Sequence, residues 1–278
     1  MRATFLGVST ILLQDDASAI MTDGFFSRPG LLKSLLRPLV SDEEIIAAAL
    51  SRLGVTSLDA VFVTHSHYDH ALDAPVVAQR TGADLVGSRS TGQIAAGYGL
   101  DSAKFRLAEQ GQPMHYGKFE VTLLPAEHTP KGKFSGSIEH PVRPPASIRD
   151  YKQGGCFSIH VRHGDRTLLI HASTNVVPGA LAGYEADTVY LGIALLAKQS
   201  AAFRDEYWRE VVLQTGARRV IPIHWDAFWK PLSKPLRPLP RVVDNVQASM
   251  RYLAERGEAD GVQITMPLAW EAVEPFGR

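Results

Sequence analysis

The sequence predicts a layered α/β fold in which helices cover packed sheets, and two observations carry that prediction. Segments with strand-like and helix-like patterning alternate along the 278 residues, with many strands falling into two blocks. Hydrophobic residues make up 45% of the chain, ample for a buried core. No repeat of fixed short period is visible.

In chain order, strands are expected near 3–13 and 18–23. Ser41-Asp-Glu-Glu44 then reads as a capping box ahead of a helix from Ile45 to Leu53 that stops at Gly54. A strand over 58–64 follows from the apolar run Val61, Phe62 and Val63. Helices are expected near 72–80, 91–97, 203–215 and 243–256. Further strands are expected near 83–87, 119–124, 155–162, 166–171, 187–192, 219–223 and 261–266.

Three irregular segments interrupt this alternation. Residues 28–40 form a basic amphipathic arm, with leucines beside Arg28, Lys33 and Arg37, suited to closing over a substrate, touching a lipid surface or docking as an ordinary loop. Residues 130–155 carry Pro130, Pro141, Pro144 and Pro145 and cannot form a regular element. Trp225, Phe228 and Trp229 lead into a proline-rich crossing that runs to Arg241; a proline-rich ligand for another protein is the competing reading, disfavoured because both ends join predicted elements.

Charge and cysteine usage narrow the function classes. Twenty-nine basic residues balance 29 acidic ones, which argues against a nucleic-acid partner. The single Cys156 precludes an intrachain disulfide and suits a reducing compartment, so a cytoplasmic location is expected. The N-terminal stretch lacks the shape of a secretory leader, and no apolar run reaches about 18 residues, so membrane insertion is not expected.

The chemistry concentrates in Thr64-His65-Ser66-His67-Tyr68-Asp69-His70, directly after the strand expected over 58–64. In extended chain, residues i and i+2 face the same way, so His65 and His67 leave the strand together and can grip one ion. Asp69 and His70 follow in the turn before a helix, offset in direction, and suit a second ion or a supporting role. Imidazole and carboxylate donors make zinc the default metal. A solvated histidine turn is the competing reading, which the strand-then-helix context disfavours.

This signature resembles the metallo-β-lactamase superfamily, and the likeness extends over nearly the whole chain. Ala3 to Leu13 followed by Ala19-Ile-Met-Thr-Asp23 is similar to that family's opening hairpin, which ends in an aspartate beside the metals. Val121-Thr-Leu-Leu-Pro-Ala-Glu-His128 and Arg219-Val-Ile-Pro-Ile-His224 match the places of its third and last histidines. The Tyr within the signature and the His-Trp-Asp at the last position look most like the branch of ascorbate-6-phosphate lactonase-like and N-acyl-phosphatidylethanolamine phospholipase-like proteins. The resemblance implies a four-layer αβ/βα sandwich with metals at one edge. It also implies one site from His65, His67 and His128 and another from Asp69, His70 and His224. Because these residues spread from position 23 to position 224, one domain over residues 1–278 is expected rather than two small ones.

One departure stands out. Where the family carries an aspartate bridging two metals, this chain reads Arg166-Thr-Leu-Leu-Ile-His171-Ala-Ser173-Thr174-Asn175, with no carboxylate. The alternatives are His171 as a ligand, Ser173 hydrogen-bonded to a metal-bound water, or a single ion. The expected cofactor is therefore one or two Zn²⁺, with Mn²⁺ or Fe²⁺ as alternatives.

Such a site lowers the pKa of bound water from about 15.7 to about 7 and yields a hydroxide nucleophile. A small-molecule ester, lactone, amide or phosphodiester is the expected substrate, with Asp69 taking or orienting the water's proton, and Asp23 and Ser173 as further catalytic candidates. A family member with a degenerate second site and weak or no hydrolysis is the alternative, as is a nuclease. An iron-oxygen oxidoreductase of this fold would be expected to carry a glutamate where His67 stands.

Overall fold

The computed structural model describes residues 1–276. In chain order its elements are β1 (Arg2–Phe5), β2 (Ile11–Gln14), β3 (Ala19–Thr22), α1 (Leu31–Leu36), α2 (Glu43–Leu53), β4 (Ala60–Phe62), α3 (Tyr68–Ala71), α4 (Ala74–Thr81), β5 (Asp84–Gly87) and α5 (Arg89–Gly97). Then follow β6 (Phe105–Leu107), β7 (Pro113–Tyr116), β8 (Phe119–Ala126), β9 (Cys156–His163), β10 (Arg166–His171), β11 (Thr188–Gly192), α6 (Ala201–Trp208), β12 (Arg219–Ile223), α7 (Val246–Asp260), β13 (Gln263–Ile264) and β14 (Ala272–Val273).

Two seven-stranded mixed sheets result, in the orders β14-β1-β2-β3-β4-β5-β6 and β13-β12-β11-β10-β9-β8-β7. Strand alternation builds the layers, because successive side chains point to opposite faces. Ile11, Leu13, Ala60 and Phe62 join a cluster with Val121, Ile159 and Leu168 of the other sheet. Their neighbours Leu12 and Val61 face the opposite way and pack with Ile46 of α2, Val77 of α4 and Ile94 of α5. Beyond the second sheet, Tyr207, Trp208 and Leu253 of α6 and α7 close the stack. The result is the expected sandwich, with helices outside both sheets. Among the described residues, no helix is long and apolar enough to cross a membrane.

The structure corrects several expected elements. The strand over 3–13 is a hairpin, broken where Gly7 and Val8 take φ of +87° and +52°. The capping box does not form: Asp42 caps α2 by accepting from Ile45 N, while Ser41 donates to the Leu72 carbonyl. The helix over 203–215 starts earlier and widens at Arg209–Leu213 into a π-helical turn. The short strands β6, β7 and β14 carried too little apolar pattern to be expected.

Candidate metal centre

The site sits where the C-terminal ends of both sheets meet. β4 ends at Phe62, and Thr64 to His67 continue as an irregular segment, so the shared direction of His65 and His67 belongs to that segment rather than to the strand. Phe157 N donates to the Thr64 carbonyl and Ser66 N to that of Gln153, pinning this segment to the second sheet.

Two groups of donor atoms converge there, His65 with His67 and His128, and Asp69 with His70 and His224, each with its donor atoms within 4.8 Å of one another. In the first group His65 Nε2 lies 3.2 Å from His67 Nδ1. The opposite nitrogens are already engaged: His67 Nε2 donates to the Phe134 carbonyl at 3.3 Å, and His128 Nδ1 to the Thr129 carbonyl at 3.2 Å. Those bonds fix the tautomers and leave lone pairs aimed at a common point.

In the second group His70 Nδ1 donates to Asp23 Oδ2 at 2.8 Å, so its Nε2 lone pair faces His224 Nε2 at 3.2 Å. Asp69 Oδ2 stands 3.7 Å from His70 Nε2 and 3.6 Å from His224 Nε2. His224 Nδ1 is buried without a hydrogen-bond partner.

This donor set fits divalent metal. Two nitrogens bound tetrahedrally to one zinc at about 2.05 Å lie roughly 3.3 Å apart, close to the separations found in both groups. Burial, followed by the neighbouring imidazoles, holds His65 well below its usual pKa and brings His128 to about 4. Burial lowers His67 and His224 as well. These rings are therefore neutral at pH 7, the state that binds metal. His70 differs: burial disfavours its charge, but Asp23 and Asp69 outweigh burial and raise its pKa. Burial would raise Asp69, yet its surroundings, the charge of neighbouring His70 first among them, outweigh burial and lower it.

The backbone around the second group is held in sparsely populated conformations. Val8, Asp23 and His224 have φ of +52°, +56° and +57°, which for non-glycine residues persists only where the surroundings over-determine it. Here a clamp does so. His224 N donates to the Val8 carbonyl at 2.8 Å, and Val8 N donates to Asp226 Oδ1 at 2.8 Å. Asp226 is ion-paired with Arg28 at 2.8 Å, both side chains being fully buried.

Three expected roles need correction. Asp23 is not placed for catalysis: it is fully buried, and its carboxylate is engaged by Ser9, by His70 and by the backbone and hydroxyl of Thr64. It acts through His70, fixing that ring's tautomer. His171 is not in either donor group; Ser158 Oγ lies 2.6 Å from its Nδ1 and the Asn175 carbonyl 2.7 Å from its Nε2, so both nitrogens are taken. Ser173 does not line the cavity over the donor groups, and its hydroxyl accepts from Cys156 Sγ at 3.6 Å. Burial pushes that thiol up to about 12, so Cys156 offers no thiolate either.

Within the same stretch Thr174 is tied to the cavity wall. Its hydroxyl donates to the Ala194 carbonyl at 2.8 Å and its N–H to Thr129 Oγ1 at 3.1 Å, and Ala194 and Thr129 line the cavity over the metals. Ser9, Thr64 and Thr174 were missed because hydroxyl residues signal nothing by type. Only Thr64, adjoining His65, could have been suspected.

A cavity of about 310 Å³ opens over both groups and includes His67, Asp69, His128 and His224. Phe228, Trp229 and Leu239 form part of its wall, as do Lys131 to Phe134. No residue of 28–40 lines it, contrary to expectation; the arm is closed on itself, its Ser34 hydroxyl donating to the Pro29 carbonyl at 3.1 Å, and is anchored by Arg28 on Asp226.

A family model described as the metallo-beta-lactamase superfamily matches residues 3–146. The chain belongs to this superfamily. A UPF0173 metal-dependent hydrolase of Anaeromyxobacter sp. is 32% identical over 113 residues, 40% of this chain and 41% of that protein. The chain thus spans 41% of the length of the first three curated relatives it matches. A second UPF0173 metal-dependent hydrolase, from Rubrobacter xylanophilus, is 24% identical over 82% of each chain. Among solved structures, a metallo hydrolase from Ignicoccus hospitalis shares the superfamily fold with TM-score 0.60 and 16% identity, covering 98% of this chain and 97% of that one.

Proposed function

We propose that this superfamily member is a metal-dependent hydrolase that cleaves an ester, lactone or phosphodiester bond of a small, partly apolar substrate. The observation that carries the reading is the convergence of two donor sets, His65 with His67 and His128 and Asp69 with His70 and His224, each with its donor atoms within 4.8 Å of one another. The Phe134 carbonyl and Asp23 hold protons of His67 and His70 on the far sides of those rings. His65, His67 and His128 would hold one ion, and Asp69, His70 and His224 the other, with zinc the first choice for imidazole and carboxylate donors.

When bound, a divalent ion supplies Lewis acidity and an acidified water at neutral pH. The chain's own residues do the rest. Asp69 presents an ionised carboxylate to the cavity, able to orient a water or take its proton. Asp23 keeps the His70 proton on Nδ1, away from the reacting side. Phe228, Trp229 and Leu239 receive the apolar part of the substrate and exclude water from it.

A second reading, a metal-binding protein without turnover, is favoured by one observation: residues 171–175 place no carboxylate beside the second group. A panel of esters, lactones and phosphodiesters separates the two. Hydrolysis abolished by chelation, restored by Zn²⁺ and lost in Asp69→Asn supports the hydrolase. A metal-replete protein inert on every substrate contradicts it.

A further inference from the structure

Lys131 and Lys133 both line the cavity, on the turn that follows His128. Asp69 is the single acidic residue of the lining, and its carboxylate is turned towards His70 and His224. Among the described residues, neither lysine is paired with a carboxylate. The rim therefore carries uncompensated positive charge above an apolar wall of Phe134, Leu195, Phe228, Trp229, Leu239 and Val243.

The turn that holds these lysines is built. Lys131 and Phe134 take left-handed φ of +60° and +57°, a region non-glycine residues seldom occupy unless surrounding contacts impose it. Between them, a Cβ on Gly132 would stand 2.3 Å from His128 Nδ1, so the chain can pass over that ring only as glycine. The Phe134 carbonyl is fixed twice, by His67 Nε2 and by Gln153 N at 2.9 Å. The lysine-bearing turn thus bears on two of the three rings of the first donor group, on the sides away from the other donors.

We propose that Lys131 and Lys133 form an anion subsite at the mouth of the cavity, so that the ligand is an amphiphilic anion: an apolar body bearing a carboxylate, phosphate or sulfonate group. An ammonium offers three donors and no acceptor, so anionic oxygens complement it where neutral groups do so weakly. That this ligand is a substrate, its charged group set apart from the bond cut, rests on the hydrolase reading; the subsite itself needs only the cavity and the turn.

Two fluorescent probes with the same aromatic body test this on the zinc-loaded protein. One, 8-anilinonaphthalene-1-sulfonate, is anionic; the other, N-phenyl-1-naphthylamine, is neutral. The parent should bind the sulfonate about tenfold or more tighter than the amine, and Lys131→Met with Lys133→Met should lose about tenfold or more on the sulfonate alone. Equal affinities in the parent, or equal or no losses in the variant, overturn the subsite. Ester turnover is read on the same samples. Probe discrimination without turnover sinks only the hydrolase reading, and turnover without discrimination sinks only the subsite.

Discussion

Replacing Arg28 by Met should destabilise the protein and loosen the last histidine together. The Arg28 and Asp226 side chains are fully buried and 2.8 Å apart. In Arg28→Met, Asp226 keeps one backbone donor, Val8 N, and loses its counter-charge. Breaking a buried pair from one side costs about 3–5 kcal/mol. With an unfolding entropy of about 2.1 cal/mol/K per residue, that is a fall in Tm of roughly 5–9 °C. Arg28→Met with Asp226→Leu removes both charges and leaves mainly Val8 N unpaired, at about 1–3 kcal/mol. The double variant should therefore be more stable than Arg28→Met alone, a non-additivity that a double-mutant cycle in urea reads directly. Because Val8 also accepts from His224 N, zinc titration of the single variant should show weaker binding at the second group and unchanged binding at the first. Single variants costing less than about 1 kcal/mol, or strictly additive, would refute the reasoning.

Asp23→Asn should weaken the second ion by about 10–100-fold while sparing the first, since it disturbs the acceptor that fixes the His70 tautomer; equal weakening at both, by isothermal titration, would show Asp23 acting generally on the fold. A pH dependence follows from Asp15, 2.8 Å from His163 Nε2. Burial opposes its charge, but the bonds from His163 and from the backbone of Ala17 and Ser18 win and bring its pKa down from 3.8 to about 2. A depressed carboxyl pKa contributes stability above 3.8 that is lost as pH falls towards 2. The gap in urea midpoint between the parent and Asp15→Asn should accordingly narrow over that range, and a constant gap would contradict the assignment.

Much of the site was legible because its donors stand at the ends of apolar runs. His128 and His224 follow β8 and β12, whose Val121 to Leu124 and Val220 to Ile223 announce buried strands. What stayed hidden depends on partners distant in sequence. Asp23 reads as an acid beside the metals, and only the approach of Ser9 and Thr64, 14 and 41 residues away, shows it saturated. His171 looks like a ligand until Ser158 and Asn175 take both its nitrogens. The arm at 28–40 begins a few residues after Asp23, as the reach of the chain requires, yet Arg28 turns it onto Asp226 and away from the cavity. Ser41 loses the cap to its neighbour because its hydroxyl is drawn to Leu72.

Anomalous scattering across the metal absorption edges, from crystals of the zinc-loaded protein, bears most directly on the central claim. A peak about 2.0–2.1 Å from His65 Nε2, His67 Nδ1 and a ring nitrogen of His128 is the predicted result. A second peak among Asp69, His70 and His224 should be weaker, because no carboxylate from residues 171–175 offsets the repulsion between two dications. Diffraction without a peak at the three histidines, or with the metal bound elsewhere, would contradict the account.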